Sequence, residues 1–373
     1  MEALLKAAQA ESGWIEERLR ELVEVESPSE DRAAVNAAMT LVAGWATELG
    51  GRVKWHKQKA FGDSLELRFG PARGRPVLIL GHLDTVWPLG TLAKMPWREH
   101  DGCLWGPGVL DMKAGVVMAL AAIKCLTGNK LPRPATLLLV PDEEVGSPVS
   151  RPITERLALG SEAVFVLEPA QGLAYKTERK GVGHYTLRVS GVAAHSGVDF
   201  AAGHSAIREA ARLVEIISNF TDLARGLTVN CGVIAGGTRS NVIAAGCTVE
   251  VDVRIARAID ARRVERLFRG LKVTDKACRV EVTGGINRMP MERKAGTIRL
   301  FRQARRLARE IGIDLEEAST GGGSDGNFTA ALGVPTLDGM GAVGQGAHAA
   351  HEHVVIAELV PRTALLAGMV AGS

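Results

Sequence analysis

Three apolar runs in this sequence each end on side chains able to hold a cation or move a proton. PVLIL (76–80) passes into Gly81-His82-Leu83-Asp84, ATLLLV (135–140) into Pro141-Asp142-Glu143-Glu144, and AVFVL (163–167) into Glu168-Pro169. Asp111 follows the glycines Gly106 and Gly108, and Gly346-Ala347-His348-Ala349-Ala350-His351-Glu352 adds further imidazoles. Histidine with carboxylate and no thiolate suits divalent zinc, cobalt or manganese more than a structural zinc site. There are too many donors for one ion. Two metals about 3.5–4 Å apart, sharing one carboxylate, would use them all. Asp84, two residues after His82, is placed to orient that imidazole. Glu143 and Glu144 are neighbours, so one can hold a metal while the other faces the bound water. A carboxylate beside such water, whose pKa falls to about 7, is a suitable general base.

These residues need a scaffold that brings them together. If the three apolar runs are buried strands, their polar ends converge, because open α/β sheets bind ligands at the carboxyl ends of their strands. The rest of the pattern agrees. Amphipathic helices are expected over Glu2–Val25 and Asp31–Leu49, the second with Val35, Met39, Val42, Trp45 and Leu49 at helical spacing. Another is expected over Met112–Leu126, between strands, and the alternation argues for an α/β sheet covered by helices. From about Arg179 to Asn287 the order changes. HYTLRVS, a helix over Ser205–Ser218, TVNCGVI, CTVEVDVRI, a helix over Ala261–Gly270 and CRVEV spell β-α-β-β-α-β, the ferredoxin-like signature. A helix near Lys294–Ile311, a glycine-rich loop, a strand near Pro335–Leu337 and a last helix return to α/β character. The expected architecture is an α/β domain with a mixed sheet over residues 1–178 and 289–373, interrupted by a ferredoxin-like α+β insert over 179–288.

Composition narrows the function classes. A chain of 373 residues, at about 150 per domain, allows two or three domains. The net charge is 45 − 42 = +3 and is dispersed, so neither nucleic acid nor an anionic membrane is an expected partner. The longest apolar run, Val116–Ile123, falls far short of the roughly 20 residues of a spanning helix. MEALLKAAQAESGW has no basic start and no sustained apolar core, so it does not read as a signal peptide. Cys103, Cys125, Cys231, Cys247 and Cys278 are scattered, which favours reduced thiols and a cytoplasmic protein. Glycine, at 43 residues, clusters at Gly106–Gly108, Gly321–Gly323 and Gly339–Gly346, where backbone must turn tightly or approach a ligand. No Lys follows Gly321–Gly323, so a phosphate loop is not indicated.

GHLDTV (81–86), GPGVLDMKAG (106–115), PDEEVGS (141–147), LEPA (167–170), GVAAHSGVDFAAGHSAI (191–207), TGGGSDGNF (320–328) and GAHAAHEHV (346–354) occur in a telling order. The set resembles the co-catalytic di-zinc family of glutamate carboxypeptidase, acetylornithine deacetylase, succinyl-diaminopimelate desuccinylase and aminoacylase, and the glutamate carboxypeptidase branch most. The resemblance covers nearly the whole chain. It implies two Zn2+ per chain, with Co2+ or Mn2+ as substitutes. His82 and Glu168 would hold one ion, Glu144 and His348 the other, and Asp111 would bridge them. It further implies Glu143 as general base, and a dimerisation and lid role for the insert. His195 of AAHSG would reach the partner subunit's site and stabilise the oxyanion. Asn241 and Arg288 would take the substrate carboxylate, while Gly322 and Gly323 let backbone approach the substrate. The family pattern H-x-x-x-E selects His348, four residues before Glu352, over His351 and His353. Phe200-Ala201 stands where the branch often has Pro-Glu, which bears on the shape of the substrate end.

Plainer roles are expected for other residues. Arg254 is divided between a salt bridge across the insert and a substrate contact, His184 and His204 are read as structural, and Trp87, Trp97 and Trp105 as packing of the loop after His82. The expected reaction is hydrolysis of the amide that links an acyl or peptidyl group to a C-terminal amino acid, glutamate first. An N-acyl-amino-acid deacetylase or desuccinylase is the alternative. A binding module without catalysis is a distant third, since the ligand and base positions are all filled. A homodimer through the insert is the expected assembly.

Overall fold

The computed structural model describes residues 1–127 and 131–372. By their contacts the residues fall into two units: Met1–Glu178, Arg293–Ser319 and Ser324–Ser373 in the first, Arg179–Glu292 and Thr320–Gly323 in the second.

The first unit opens with α1 (Glu2–Ala10), α2 (Ser12–Val23) and α3 (Arg32–Glu48). The one helix expected over Glu2–Val25 is therefore two. They part at Glu11 (φ −97°, ψ 5°), followed by Ser12 and Gly13, which are weaker helix formers than the Ala and Leu of α1. α3 begins where the Asp31 carboxylate accepts from the amides of Ala33 and Ala34, both at 3.0 Å, satisfying groups that a helix start leaves open. Then come β1 (Arg52–His56), β2 (Ser64–Phe69), β3 (Val77–His82), β4 (Arg98–His100), β5 (Cys103–Trp105), α4 (Ala114–Thr127), β6 (Ala135–Val140), α5 (Arg151–Leu159), β7 (Ala163–Val166) and β8 (Tyr175–Arg179).

The second unit holds β9 (Gly181–Ser190), α6 (Ala206–Ser218), β10 (Thr228–Gly236), β11 (Gly246–Ile255), α7 (Ala258–Arg269) and β12 (Arg279–Arg288). The chain ends with α8 (Ala295–Arg309), β13 (Glu317–Thr320), α9 (Gly326–Ala331), β14 (Thr336–Leu337), β15 (Gly344–Gln345), β16 (His353–Val355) and α10 (Ile356–Ala371).

The main sheet runs β1-β2-β6-β3-β7-β14. β3 lies parallel to β6 and β7, β14 parallel to β7, and β2 antiparallel to β6, so the sheet is mixed. Side chains alternate across a strand, and here both faces are apolar. Val77, Ile79, Leu137, Leu139, Ala163 and Phe165 enter one core, while Leu78, Leu80, Leu138, Val140, Val164 and Val166 enter another. That double burial accounts for runs that read as continuously apolar. α4 is apolar all round, and Val116–Ile123 are wholly buried in the larger core.

The second unit's sheet runs β10-β11-β9-β12, and β9 is antiparallel to both of its neighbours. With helices between β9 and β10 and between β11 and β12, this is the ferredoxin-like topology. Its core has Tyr185 stacked on Phe268 at 3.8 Å between ring centroids. The mixed α/β fold class read from the sequence stands. A small sheet, β15-β16-β5-β4, had no counterpart in that reading because its strands are two or three residues long. The cysteines are free thiols, and among the described residues no helix is long and apolar enough to cross a membrane.

Gly115, in the first turn of α4, lets that helix approach the strand that leads to Glu168. A Cβ there would lie 2.4 Å from the Leu167 carbonyl oxygen. Gly115→Ala is expected to destabilise the protein by about 1–3 kcal/mol through this backbone clash. Urea unfolding measures it; an unchanged midpoint would show that the contact relaxes freely.

Candidate metal centre

The carboxyl ends of the parallel strands place the chemistry. His82 is the last residue of β3, Glu143 and Glu144 form a single 3-10 turn after β6, and Glu168 stands two residues past β7. Asp111 lies in a kinked turn, Val109–Lys113, that leads into α4, with non-helical φ −115° and ψ 92°. A helix start at Met112 was expected; the regular helix begins at Ala114, because Asp111 and Met112 both have non-helical backbone angles. His348 sits between β15 and β16 in the left-handed region, at φ 61°.

These side chains come together in the first unit. Asp111 Oδ1 is 3.3 Å from His82 Nε2, and its Oδ2 is 3.4 Å from His348 Nε2. Glu168 Oε1 is 3.9 Å from His82 Nε2, and Glu144 Oε1 is 3.2 Å from His348 Nε2. One donor atom each from His82, Asp111 and Glu144 lies within 4.8 Å of the others, as does one each from His82, Glu143 and Glu168. Asp111 Oδ1 is buried and has no hydrogen-bond partner, which a polar atom in such a place rarely tolerates without a cation or water. Two donor groups that share His82, with Asp111 set between His82 and His348, fit a pair of divalent ions.

Asp84 is fully buried. The His82 Nδ1–H donates to the Asp84 main-chain carbonyl at 2.9 Å, with carboxylate Oδ1 farther away at 3.4 Å. The carboxylate is engaged elsewhere, accepting from Ser29 Oγ (2.7 Å) and from the amides of Glu143 (3.2 Å) and Glu144 (3.1 Å). Asp84 thus fixes the imidazole through its backbone and the Glu143–Glu144 turn through its side chain. Glu352, named in the sequence only to select His348, accepts from Trp87 Nε1 and from the amides of Gly108, Leu110 and Asp111. Its place four residues from His348 was the available signal. Nothing in the spacing pointed to Ser29.

Charge in the cluster is strongly biased. Burial works against a charged His82, yet the Asp111 and Asp84 carboxylates outweigh it and raise its pKa well above the ordinary value. Asp111 and then Glu144 push His348 up to about 10. Burial favours a neutral Asp111, but His348 and His82 more than reverse this and hold its carboxyl well below the usual range. Lys113, buried with its Nζ donating to the Val25 carbonyl at 2.8 Å, is lowered to about 8 by desolvation.

His195, Asn241, Arg288, Gly322 and Gly323 lie in the second unit. The His195 segment pairs with the Asn241 segment: His195 bridges Val242, and Ser196 N donates to the Asn241 carbonyl at 3.0 Å. Both His195 and Asn241 are exposed. The Gly197 amide donates to His195 Nδ1 at 3.2 Å, which makes Nε2 the nitrogen that carries the proton of the neutral ring. Arg288 is buried at the end of β12, and the Gly322 and Gly323 carbonyls accept from Arg179 Nη1. Arg254 makes its ion pair within its own strand, to Asp252 at 2.9 Å. His204 pairs with Asp275 at 2.7 Å. Trp105 stacks on His353 at 4.4 Å between centroids, and Trp87 is tied to Glu352.

Comparison with known proteins places this geometry among peptidases. The profile of peptidase family M20/M25/M40 matches residues 78–372. Carboxypeptidase G2 of Pseudomonas sp. (strain RS-16) is 30% identical over 375 residues, covering 98% of this chain and 90% of that protein. An acetylornithine deacetylase of Salmonella paratyphi B is 30% identical over 237 residues, 59% of this chain and 61% of its own length. The crystal structure of aminopeptidase PepT from Bacillus cereus superposes with a TM-score of 0.80 at 20% identity, covering 96% of this chain and 98% of that one.

The cluster gives the metal-free protein a distinctive pH dependence. His348 binds its proton more tightly folded than unfolded. The resulting stabilisation is complete below about pH 6.5 and is lost as pH rises toward about 10, with His82 acting in the same sense. His348 is half exposed, so screening keeps its share modest. Lys113 opposes it: with a folded pKa of about 8 against 10.5 unfolded, it adds stability as pH rises beyond 8. In chelator, urea midpoints are expected to fall from about pH 6.5 to 8 and to fall less steeply above 8, where Lys113 opposes the two histidines. A midpoint that climbs between 6.5 and 8 contradicts this balance.

Proposed function

The chain belongs to peptidase family M20/M25/M40, and on that premise we propose that it hydrolyses the amide bond that joins an acyl or peptidyl group to a C-terminal amino acid. Glutamate is the proposed leaving residue, and two Zn2+ per chain the proposed cofactor, with Co2+ or Mn2+ able to substitute. The observation that carries the reading is Asp111, which turns one oxygen to His82 and the other to His348. In the proposal His82 and Glu168 would hold one ion, Glu144 and His348 the other, and Asp111 would serve both. Bound metals supply Lewis acidity and lower the pKa of water toward about 7.

Glu143 is the proposed base. Its amide is anchored on Asp84, which holds the side chain beside His82 and Glu168. It takes the proton of the attacking water and returns it to the leaving amine. His195, exposed and with Nδ1 accepting from Gly197, has Nε2 as its donor and is suited to donate to the developing oxyanion in a neighbouring copy's site. Asn241 and Arg288 are proposed to bind the substrate carboxylate, for which a guanidinium fork is well matched. Gly322 and Gly323 leave room for substrate close to the backbone.

A homodimer through the insert is supported by β10. It is an edge strand, with Val233 and Ile234 half exposed, and Ile207 and Ile216 of α6 are exposed as well. An apolar strand edge of this kind is normally covered. The insert, 179–288 in this proposal, serves as the dimerisation and lid domain of the catalytic remainder. The free thiols support a cytoplasmic setting.

Metal stoichiometry, paired with glutamate release from a C-terminal glutamate conjugate before and after chelation, tests the reading. Two zincs and chelator-sensitive release are expected. The similarity to an acetylornithine deacetylase favours a second substrate class, so two zincs with turnover only of N-acetyl- or N-succinyl-amino acids would move the assignment there. No metal and no turnover would reject hydrolysis. Glu143→Gln is expected to lose about 10²–10⁴-fold in kcat with metal content unchanged; full activity removes Glu143 as base. Mixing His195→Ala with Glu143→Gln subunits is expected to restore activity, whereas silent mixed dimers would argue against a residue supplied in trans.

A further inference from the structure

Glu352 is almost completely buried, and both of its carboxylate oxygens are saturated by donors from other segments. Oε2 accepts from Trp87 Nε1 and the Gly108 amide, both at 2.8 Å. Oε1 accepts from the Leu110 amide at 2.9 Å and the Asp111 amide at 3.1 Å. Glu352 belongs to the turn that carries His348. Within that turn the Glu352 amide donates to the Ala349 carbonyl at 2.9 Å and the Ala349 amide to the Gly346 carbonyl at 2.8 Å. One side chain therefore ties together three stretches distant in sequence: the loop after β3, the kinked turn bearing Asp111, and the turn bearing His348.

We propose that Glu352 is a positioning residue that sets the separation of Asp111 from His348, and so the affinity of the cation site formed by Asp111, Glu144 and His348, while locking the Trp87 loop to the same site. The inference rests on the metal-pair reading above. Its physical basis is the donor pattern. Four N–H groups converge on two oxygens, which an ionised carboxylate satisfies and no neutral side chain of that size can. A glutamine in its place must turn its NH2 toward two N–H donors, whichever way the amide faces. One orientation frees the Leu110–Asp111 backbone, and the other frees Gly108 and Trp87. His82, the last residue of β3, and Glu168, two residues past β7, lie outside the segments that Glu352 ties.

The asymmetry makes the proposal testable by Co2+ titration of the purified protein, following stoichiometry and the visible absorption of the bound ion. Wild type is expected to take up two Co2+. Glu352→Gln is expected to keep one with wild-type affinity and to bind the second about 10–100-fold more weakly, with an altered absorption. Its activity should return as free Co2+ is raised by the same factor. Trp87→Phe, which removes one donor of four, should weaken the second site less. Glu352→Gln loading two ions with wild-type affinity and absorption overturns the inference alone, as does a loss confined to the thermal stability of the metal-free protein. Wild type loading fewer than two overturns the metal-pair reading and this inference with it. Where Glu352→Gln does not fold, Glu352→Asp keeps the charge but draws the carboxylate back by one methylene, and the same two outcomes apply.

Discussion

Asp111 faces an imidazole with each of its oxygens, and one of those oxygens is buried without a hydrogen bond. A carboxylate in that position is stable only where positive charge surrounds it, and His82 and His348 provide such a field even in the bare protein. Much of the first unit can be understood as the means of holding this arrangement. The parallel strands β3, β6 and β7 stop at one edge, and the loops leaving them carry His82, the Glu143–Glu144 turn and Glu168. The sheet is buried on both faces, so that edge has little freedom to move.

Two buried acids divide the work of fastening the loops. Asp84 spends its backbone carbonyl on His82 and its carboxylate on the amides of Glu143 and Glu144. Glu352 does the corresponding work on the other side, for Asp111 and the turn of His348. Neither needs to touch an ion to matter. Each converts flexible loop backbone into fixed donor positions, and a metal site depends on such support as much as on its direct ligands. Glycine serves the same end at Gly115, where α4 comes within reach of the Leu167 carbonyl.

The second unit carries a different kind of preparation. The pairing of the His195 and Asn241 segments puts two exposed polar side chains on neighbouring loops, and the Gly197 amide selects the histidine tautomer. The two arginines considered from the sequence differ in setting: Arg254 pairs with Asp252 along its own strand, whereas Arg288 is buried at the end of β12. β10 lies at a sheet edge with Val233 and Ile234 half exposed, and Ile207 and Ile216 of α6 are exposed as well.

Periodicity and residue type were legible in the chain alone, and they carried much of this architecture. Apolar runs of strand length, each followed closely by His or Glu, were enough to place the candidate donors at one sheet edge, and the β-α-β-β-α-β order was enough to anticipate the sheet topology of the second unit. The ordered motifs pointed to the family. The direction of loop backbone, by contrast, emerged only on folding. Folding delayed α4 to Ala114 and gave the His82 proton to a carbonyl rather than to the Asp84 carboxylate. It also turned Glu352 from a spacing marker into a buried acceptor of four hydrogen bonds. The reason is physical: alternation and helical spacing are local properties of a chain, whereas a buried carboxylate is satisfied by whichever amides the folded loops bring to it, across as many as 265 residues.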